Sequence, residues 1–399
     1  MDIMASTTPR LIDEAEAPPH IALRTFRRHV DTALLIGVTP ILIVALLFFG
    51  MRIVLIVGAA AMGATLAAGL ARRLTRRGGE TRWIHAAACG VLLAMTAPPT
   101  ISPLLAMAGG FAGIMITRVL LGGHGNYLWH PALVGWAFLQ VFFTADMSPP
   151  DWPVLARQHW ITGDLAATVR PGHEYQGYFG GSPDRAEAWK LWRPVDSLIE
   201  RYEESDDLRS EATLHDTVLY ELPPLVDTIV GAVGGGLGET STVAILIGAL
   251  WLMYLRQLRW ELVLAAVAAL LVCACVAPIR LGIGPERTWF PMMQMSKDFP
   301  IAMSLIMYHL TGGGFLLACS FFAADSISTP LTTRGHVLFG IGLGVLTMVF
   351  RVIAVAPGSC YWAVLAMNTL VPAIDRVTRR RIYGTRPTFS HQRRQTPVG

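Results

Sequence analysis

Hydrophobic and polar positions fall in long blocks along this chain. Apolar runs long enough to cross about 30 Å of hydrocarbon lie at roughly 32–50, 53–71, 83–99, 101–121 and 131–145, and again at roughly 240–256, 260–279, 301–323, 336–354 and 359–375. Several are short or interrupted by Gly and Pro. The pattern predicts an all-α membrane protein of about ten transmembrane helices, split five and five by one large polar loop. Five is odd, so two halves that share a fold must sit in opposite orientations, as inverted repeats do. The division expected is a lead-in over 1–30, a first half over 31–145, a loop over 146–239, a second half over 240–376 and a basic tail over 377–399.

Two local echoes accompany that division. Gly109-Gly110-Phe111-Ala112-Gly113 running on to Arg118 resembles Gly340-Ile341-Gly342-Leu343-Gly344 running on to Arg351. Close helix packing explains such glycines without any repeat. Pro/Ser/Thr-rich breaks at 97–103 and 326–330 flank them, and breaks at matching places in two halves point to a midplane or interfacial site.

Charge sets the orientation. Arg24, Arg27 and Arg28 precede the first run, Arg72, Arg73, Arg76, Arg77 and Arg82 follow the second, Arg256 and Arg259 follow the sixth, and Arg376, Arg379, Arg380 and Arg381 follow the tenth. With ten spans all four clusters fall on one face, which is then cytoplasmic and carries both termini. The loop is external on the same count, and its residues 146 to about 225 hold 15 of the 28 acidic residues. With 53% hydrophobic residues, 15% charged and a mean hydropathy of +0.48, the composition excludes two or three ordinary soluble domains. The net charge of +4 is gathered into these clusters, so the chain faces a lipid bilayer and not a nucleic acid. The opening residues mix Asp13, Glu14 and Glu16 with arginines and do not read as a cleaved signal peptide. The five cysteines, at 89, 273, 275, 319 and 360, form no CxxC pair and read as small buried hydrophobes.

Chemistry has few candidates. Ionisable groups in or near apolar runs are Asp31, His85, Glu239, Asp325 and Arg351. Their ordinary role is snorkelling or helix capping. Glu239 and Asp325 lie beside Gly/Ser-rich breaks on opposite sides of the predicted membrane, where an ion path would need polar groups and loosened backbone. The loop is rich in Trp and Tyr, which anchor at interfaces, and it contains Asp207-Leu208-Arg209-Ser210-Glu211-Ala212-Thr213. Alone that stretch is weak evidence, since Ser and Thr are common in loops and N-caps.

Further stretches change its meaning. Gly122-Gly123-His124-Gly125 followed by Pro131-Ala132-Leu133-Val134-Gly135, then Gly238-Glu239-Thr240-Ser241-Thr242, then Phe321 to Ser328 with Arg351 and Asn368 to Asp375, resemble the motifs of one family. It comprises the RnfD membrane flavoprotein of the Rnf electron-transport complex and its counterpart in the sodium-pumping NADH:quinone oxidoreductase. The resemblance runs from about residue 25 to 385, and the modest length is more like the Rnf member. It implies FMN joined through its phosphate to Thr213, within a D-x-x-S-x-A-T motif that Asp207, Ser210 and Ala212 complete. A flavin transferase would make that bond, and Ala212 leaves room for the phosphate. The resemblance further implies other subunits as partners, a bacterial cytoplasmic (inner) membrane, and electron relay between ferredoxin and NAD coupled to ion movement. The ferredoxin and NAD sites belong elsewhere, because this chain has no dinucleotide fingerprint and no iron–sulfur ligand set.

Departures bear on a second flavin of the riboflavin type. Where the family reads N-x-x-N-P-A, this chain has Tyr127-Leu128-Trp129-His130-Pro131-Ala132, so the amides that would contact it are replaced and that site stays open. His130, at a helix end, is expected to be solvated. Two other functions remain: the equivalent subunit of the quinone reductase, and a solute channel or transporter of the same inverted architecture without a redox centre.

Overall fold

The computed structural model describes residues 24–75, 83–120, 127–147, 225–231, 235–277, 279–280, 288–289, 299–323, 325, 327–352 and 358–378. Asp207, Ser210, Ala212 and Thr213 lie outside them.

The described chain is helical. The helices are α1 (Arg24–Phe49), α2 (Arg52–Thr75), α3 (Trp83–Thr96), α4 (Pro103–Met115), α5 (Pro131–Phe142) and the short α6 (Thr144–Met147), followed by α7 (Leu225–Val230), α8 (Thr242–Tyr254), α9 (Trp260–Val276), α10 (Phe299–Thr311), the single turn α11 (Phe315–Leu317), α12 (Thr333–Val352) and α13 (Ser359–Thr378). Wider π-type turns continue α4 over Ile116–Leu120 and α11 over Ala318–Phe322. One antiparallel strand pair, Ile279–Arg280 with Thr288–Trp289, follows α9.

Among the described residues three segments are long and apolar enough to cross a membrane, Val30–Phe49, Arg52–Leu74 and Thr333–Val352, and the pair Ala302–Thr311 with Phe315–Phe322 does so if taken as one bent span. The outer faces of α1, α2 and α8 are apolar too: Ile43, Leu55, Leu66 and Leu250 are all more than half exposed. In water such a surface would aggregate; around a helical core whose backbone groups are satisfied internally, it is the surface lipid requires. The protein is an all-α membrane protein.

Small residues let the backbones approach. α2 packs most extensively on α4, and α9 on α12. A side chain at Gly110 would collide with the carbonyl of Ala60 on α2, and one at Gly344 would sit 2.5 Å from the carbonyl of Ala266 and 2.7 Å from the amide of Leu270 on α9. Gly344→Val is therefore expected to push α12 off α9 and cost about 1–3 kcal/mol, seen as a lower thermal midpoint in detergent. α1 meets α8 through Gly37 and Gly248.

The break at 97–103 follows from its prolines. Pro98 and Pro99 carry no N–H, and α3 therefore ends with carbonyls in need of donors. The incoming chain supplies them: Leu237 N–H donates to Ala97 O at 3.0 Å and Gly238 N–H to Met95 O at 2.7 Å. Ser102 then caps α4 by accepting from Leu105 N–H at 3.2 Å. The break thus fixes residues 237 and 238, and Glu239 follows directly.

A second break was not anticipated. The predicted single run over 301–323 is two helical pieces bent by 47° about Gly312-Gly313-Gly314. Gly313 and Gly314 hold φ of 66° and 70°, a region costly for any residue with a Cβ.

Candidate functional site

Glu239 is buried, 4% exposed. Its Oε1 accepts from the Tyr361 hydroxyl on α13 at 2.6 Å, and its Oε2 accepts from Gly236 N–H at 3.2 Å. Ser241, two residues on, caps α8 by accepting from Ala244 N–H at 3.3 Å. The carboxylate faces the glycine break: a Cβ on Gly314 would lie 2.6 Å from the Tyr361 hydroxyl oxygen and 2.9 Å from Glu239 Cδ. Glycine is required there both by its backbone conformation and by the carboxylate pressed against it.

Arg351 completes this end of the site. It is 1% exposed, and its guanidinium donates to His309 O at 2.7 Å, to Gly312 O at 3.1 Å and to Ser359 Oγ at 3.3 Å. Cys360 Sγ donates to Gly313 O at 3.1 Å. Arg351 does not snorkel. It ties the carbonyl end of α10 to α12 and α13, using the fork of donors that a guanidinium offers.

Asp325 organises the other break. Its Oδ1 accepts from Ile327 N–H at 3.3 Å, its Oδ2 from Ser328 Oγ at 3.0 Å, and its carbonyl from Thr329 Oγ1 at 2.7 Å. Such Asx-type bonds hold a tight turn. The side-chain amide of Asn368, oriented with its nitrogen toward carbonyls, donates to Ser328 O at 3.0 Å, and Asp375 accepts from Leu331 N–H at 3.0 Å. Asp325, Ser328, Asn368 and Asp375 of the closing motif thus meet around one turn, and Arg351 lies at the other break.

His130 corrects its expectation. It is 2% exposed and caps α5, its Nδ1 accepting from Ala132 N–H at 3.2 Å. A helix that opens at Pro131 needs an acceptor at the preceding position, and an imidazole nitrogen serves where the fold leaves no water. Asp31 and His85 stand apart in the sequence, and here they join α1 to α3 at 3.1 Å. His85 also lies 3.6 Å from Cys89 Sγ and stacks on Tyr127 with ring centroids 6.1 Å apart. Arg118 Nη2 is buried without a hydrogen-bond partner among the described residues. Asp325 is within electrostatic reach of Tyr127 and His130.

Rings separate the two acidic positions. Tyr361 packs on Trp136 at 5.1 Å and on Phe322 at 5.6 Å, and Phe322 meets His130 edge-on at 5.3 Å. The structure does not bring Glu239 and Asp325 into contact; it sets them at the two ends of this ring series. Among the described residues no group of His, Cys, Asp or Glu is arranged to hold a metal ion. Sequence reasoning missed the glycine break and the role of Tyr361. The run Gly312-Gly313-Gly314 was the available signal for the first, and no local pattern marks the second.

A broken apolar helix met by a buried arginine, beside a buried carboxylate, makes this a membrane protein with charged groups inside its helical core. The chain belongs to the NQR2, RnfD, RnfE family, whose model matches residues 14–384. It is 31% identical over 302 residues to the D subunit of the ion-translocating oxidoreductase complex of Stutzerimonas stutzeri, covering 74% of each chain. It is 25% identical over 297 residues to the D subunit of the proton-translocating ferredoxin:NAD(+) oxidoreductase complex of Clostridium ljungdahlii, covering 74% of this chain and 73% of that one. To the D subunit of the Na(+)-translocating ferredoxin:NAD(+) oxidoreductase complex of Acetobacterium woodii it is 24% identical over 368 residues, covering 92% of this chain and 93% of that one.

Proposed function

We propose that this chain is the flavin-carrying membrane subunit of an ion-translocating ferredoxin:NAD+ oxidoreductase of the Rnf type. The observation that carries the reading is the family match over 14–384 in a chain that also holds the Asp207…Ser210…Ala212-Thr213 spacing in its polar loop. FMN joined through its phosphate to Thr213 would take electrons singly and pass them on, the protein tuning its potential. Glu211 beside the phosphate is a mild disadvantage, on the order of 1 kcal/mol in water at 4 Å. Two electrons falling through 100 mV release about 4.6 kcal/mol, whereas moving one charge against 100 mV costs about 2.3 kcal/mol, so a modest drop suffices to drive an ion.

In this reading ten spans form two inverted halves in the bacterial cytoplasmic membrane. The pairing of α2 with α4 and of α9 with α12, with α1 on α8 between them, supports the repeat. Both termini are cytoplasmic and the 146–239 loop is external. The ion path uses Glu239 and Asp325, with the ring series between them as a barrier to hydrated ions. A second, noncovalent flavin of the riboflavin type fits the chemistry left at the other end, where Arg118 Nη2 is a buried donor without a hydrogen-bond acceptor among the described residues, which a ring carbonyl would supply. Partners are the remaining membrane and peripheral subunits, with a flavin transferase for maturation.

Two measurements test it. Cysteine labelling from outside intact cells is expected to reach position 213 and not position 78; the opposite pattern overturns the orientation. Purification is expected to bring down iron–sulfur subunits that react with ferredoxin. A quinone-reducing assembly in their place would make the chain the equivalent subunit of the sodium-pumping enzyme, and a chain without bound flavin would make it a transporter.

A further inference from the structure

We infer that the ion handled at Glu239 is the proton and not a sodium ion, an inference that rests on the reading of Glu239 as part of the ion path. Names of relatives do not decide the matter, since one is proton-translocating and another Na(+)-translocating at nearly equal identity. The oxygens around Glu239 do.

A hard cation inside a membrane protein is held by several oxygens at once. In proteins with broken helices these include the carbonyls at the end of a half-helix. Here that place is filled by the protein's own cation. The carbonyls of His309 and Gly312, at the end of α10, receive the guanidinium of Arg351. The next two carbonyls of the break are also engaged, Gly313 O by Cys360 Sγ at 3.1 Å and Gly314 O by Ala318 N–H at 2.9 Å. In the loop bearing Glu239, Gly236 O accepts from Glu239 N–H at 2.9 Å, and Met95 O and Ala97 O accept from Gly238 and Leu237. Both oxygens of the carboxylate already face donors. A sodium ion arriving here would have to compete for these oxygens with hydrogen-bond donors and, at the end of α10, with the Arg351 guanidinium.

A proton needs none of that shell. A phenol hydroxyl both donates and accepts, so the 2.6 Å contact between Tyr361 and Glu239 survives a change of protonation. With Glu239 charged, the hydroxyl donates to Oε1. When a proton arrives from water, an O–H bond forms at Oε1 as the hydronium O–H bond breaks, and the Tyr361 oxygen becomes the acceptor. Release to water on the other side reverses this, and no electron changes place. Arg351 from α12, His309 from α10 and Cys360 from α13 meet at the glycine break on which the pair packs. Arg351 keeps its charge throughout, while that of Glu239 is lost as the proton binds.

The test uses the intact complex in proteoliposomes, given reduced ferredoxin and NAD+, with a pH-sensitive dye and radioactive sodium inside and out. Luminal pH change is expected to persist when choline replaces all sodium. In Glu239→Gln, which keeps an acceptor for Tyr361, it is expected to fall by about a hundredfold; in Tyr361→Phe it should fall by about tenfold. A carboxyl band in the infrared difference spectrum between high and low pH should vanish in Glu239→Gln and ignore sodium, a readout that does not depend on turnover. Sodium uptake that falls in Glu239→Gln overturns the proton and leaves the ion path standing. Ion movement of either kind that Glu239→Gln leaves unchanged overturns the path itself, and the inference with it.

Discussion

Arg351→Met is expected to lower stability by roughly 3–5 kcal/mol, the cost of leaving its buried acceptors without a donor. The guanidinium is the donor to His309 O, Gly312 O and Ser359 Oγ. A methionine of similar length would leave three acceptors without it, each such loss costing about 1–3 kcal/mol. No water is at hand to replace it, because the side chain is only 1% exposed. The Gly312-Gly313-Gly314 break should loosen, and Glu239 with it, since Gly314 lies against its carboxylate. Arg351→Lys keeps the charge as a single point without the fork and should fall between the two. Thermal midpoints in detergent, with Gly344→Val as a packing control, check the order; wild-type stability in Arg351→Met would show that the break is not held by this residue.

The second large effect is all or none. Thr213→Ala is expected to remove every trace of flavin fluorescence that stays with the denatured polypeptide. A phosphoester needs a hydroxyl, and no neighbouring side chain can replace the lost bond without moving the attachment point. Retention of fluorescence in Thr213→Ala would move the flavin elsewhere. The variant separates a redox protein from a transporter because the covalent bond survives denaturation and a bound ligand does not.

Much of the helical architecture was legible in the sequence because lipid imposes its own rule: every backbone group must be satisfied within the chain, and long apolar runs therefore become helices. The Pro98-Pro99 break was legible for the same kind of reason, as its carbonyls had to find donors. The break at Gly312 to Gly314 was hidden inside an apolar run, where three glycines read equally well as a packing surface. Asp31, His85, Glu239 and Arg351 stood out as expensive charges, but their partners did not. Tyr361 lies 122 residues from Glu239, and the carbonyls that receive Arg351 carry no mark in a sequence. His130 was misjudged because a helix end was equated with exposure to water, whereas this end is packed against Phe322.

The central claim is that a flavin is carried on this chain. Mass spectrometry of the peptide spanning Asp207 to Thr213, from protein made in a host that has the flavin transferase, tests it most directly. The account predicts a mass increase of one FMN less one water, located on Thr213 by fragmentation and absent in Thr213→Ala. An unmodified peptide from that host, or FMN on another residue, would contradict it.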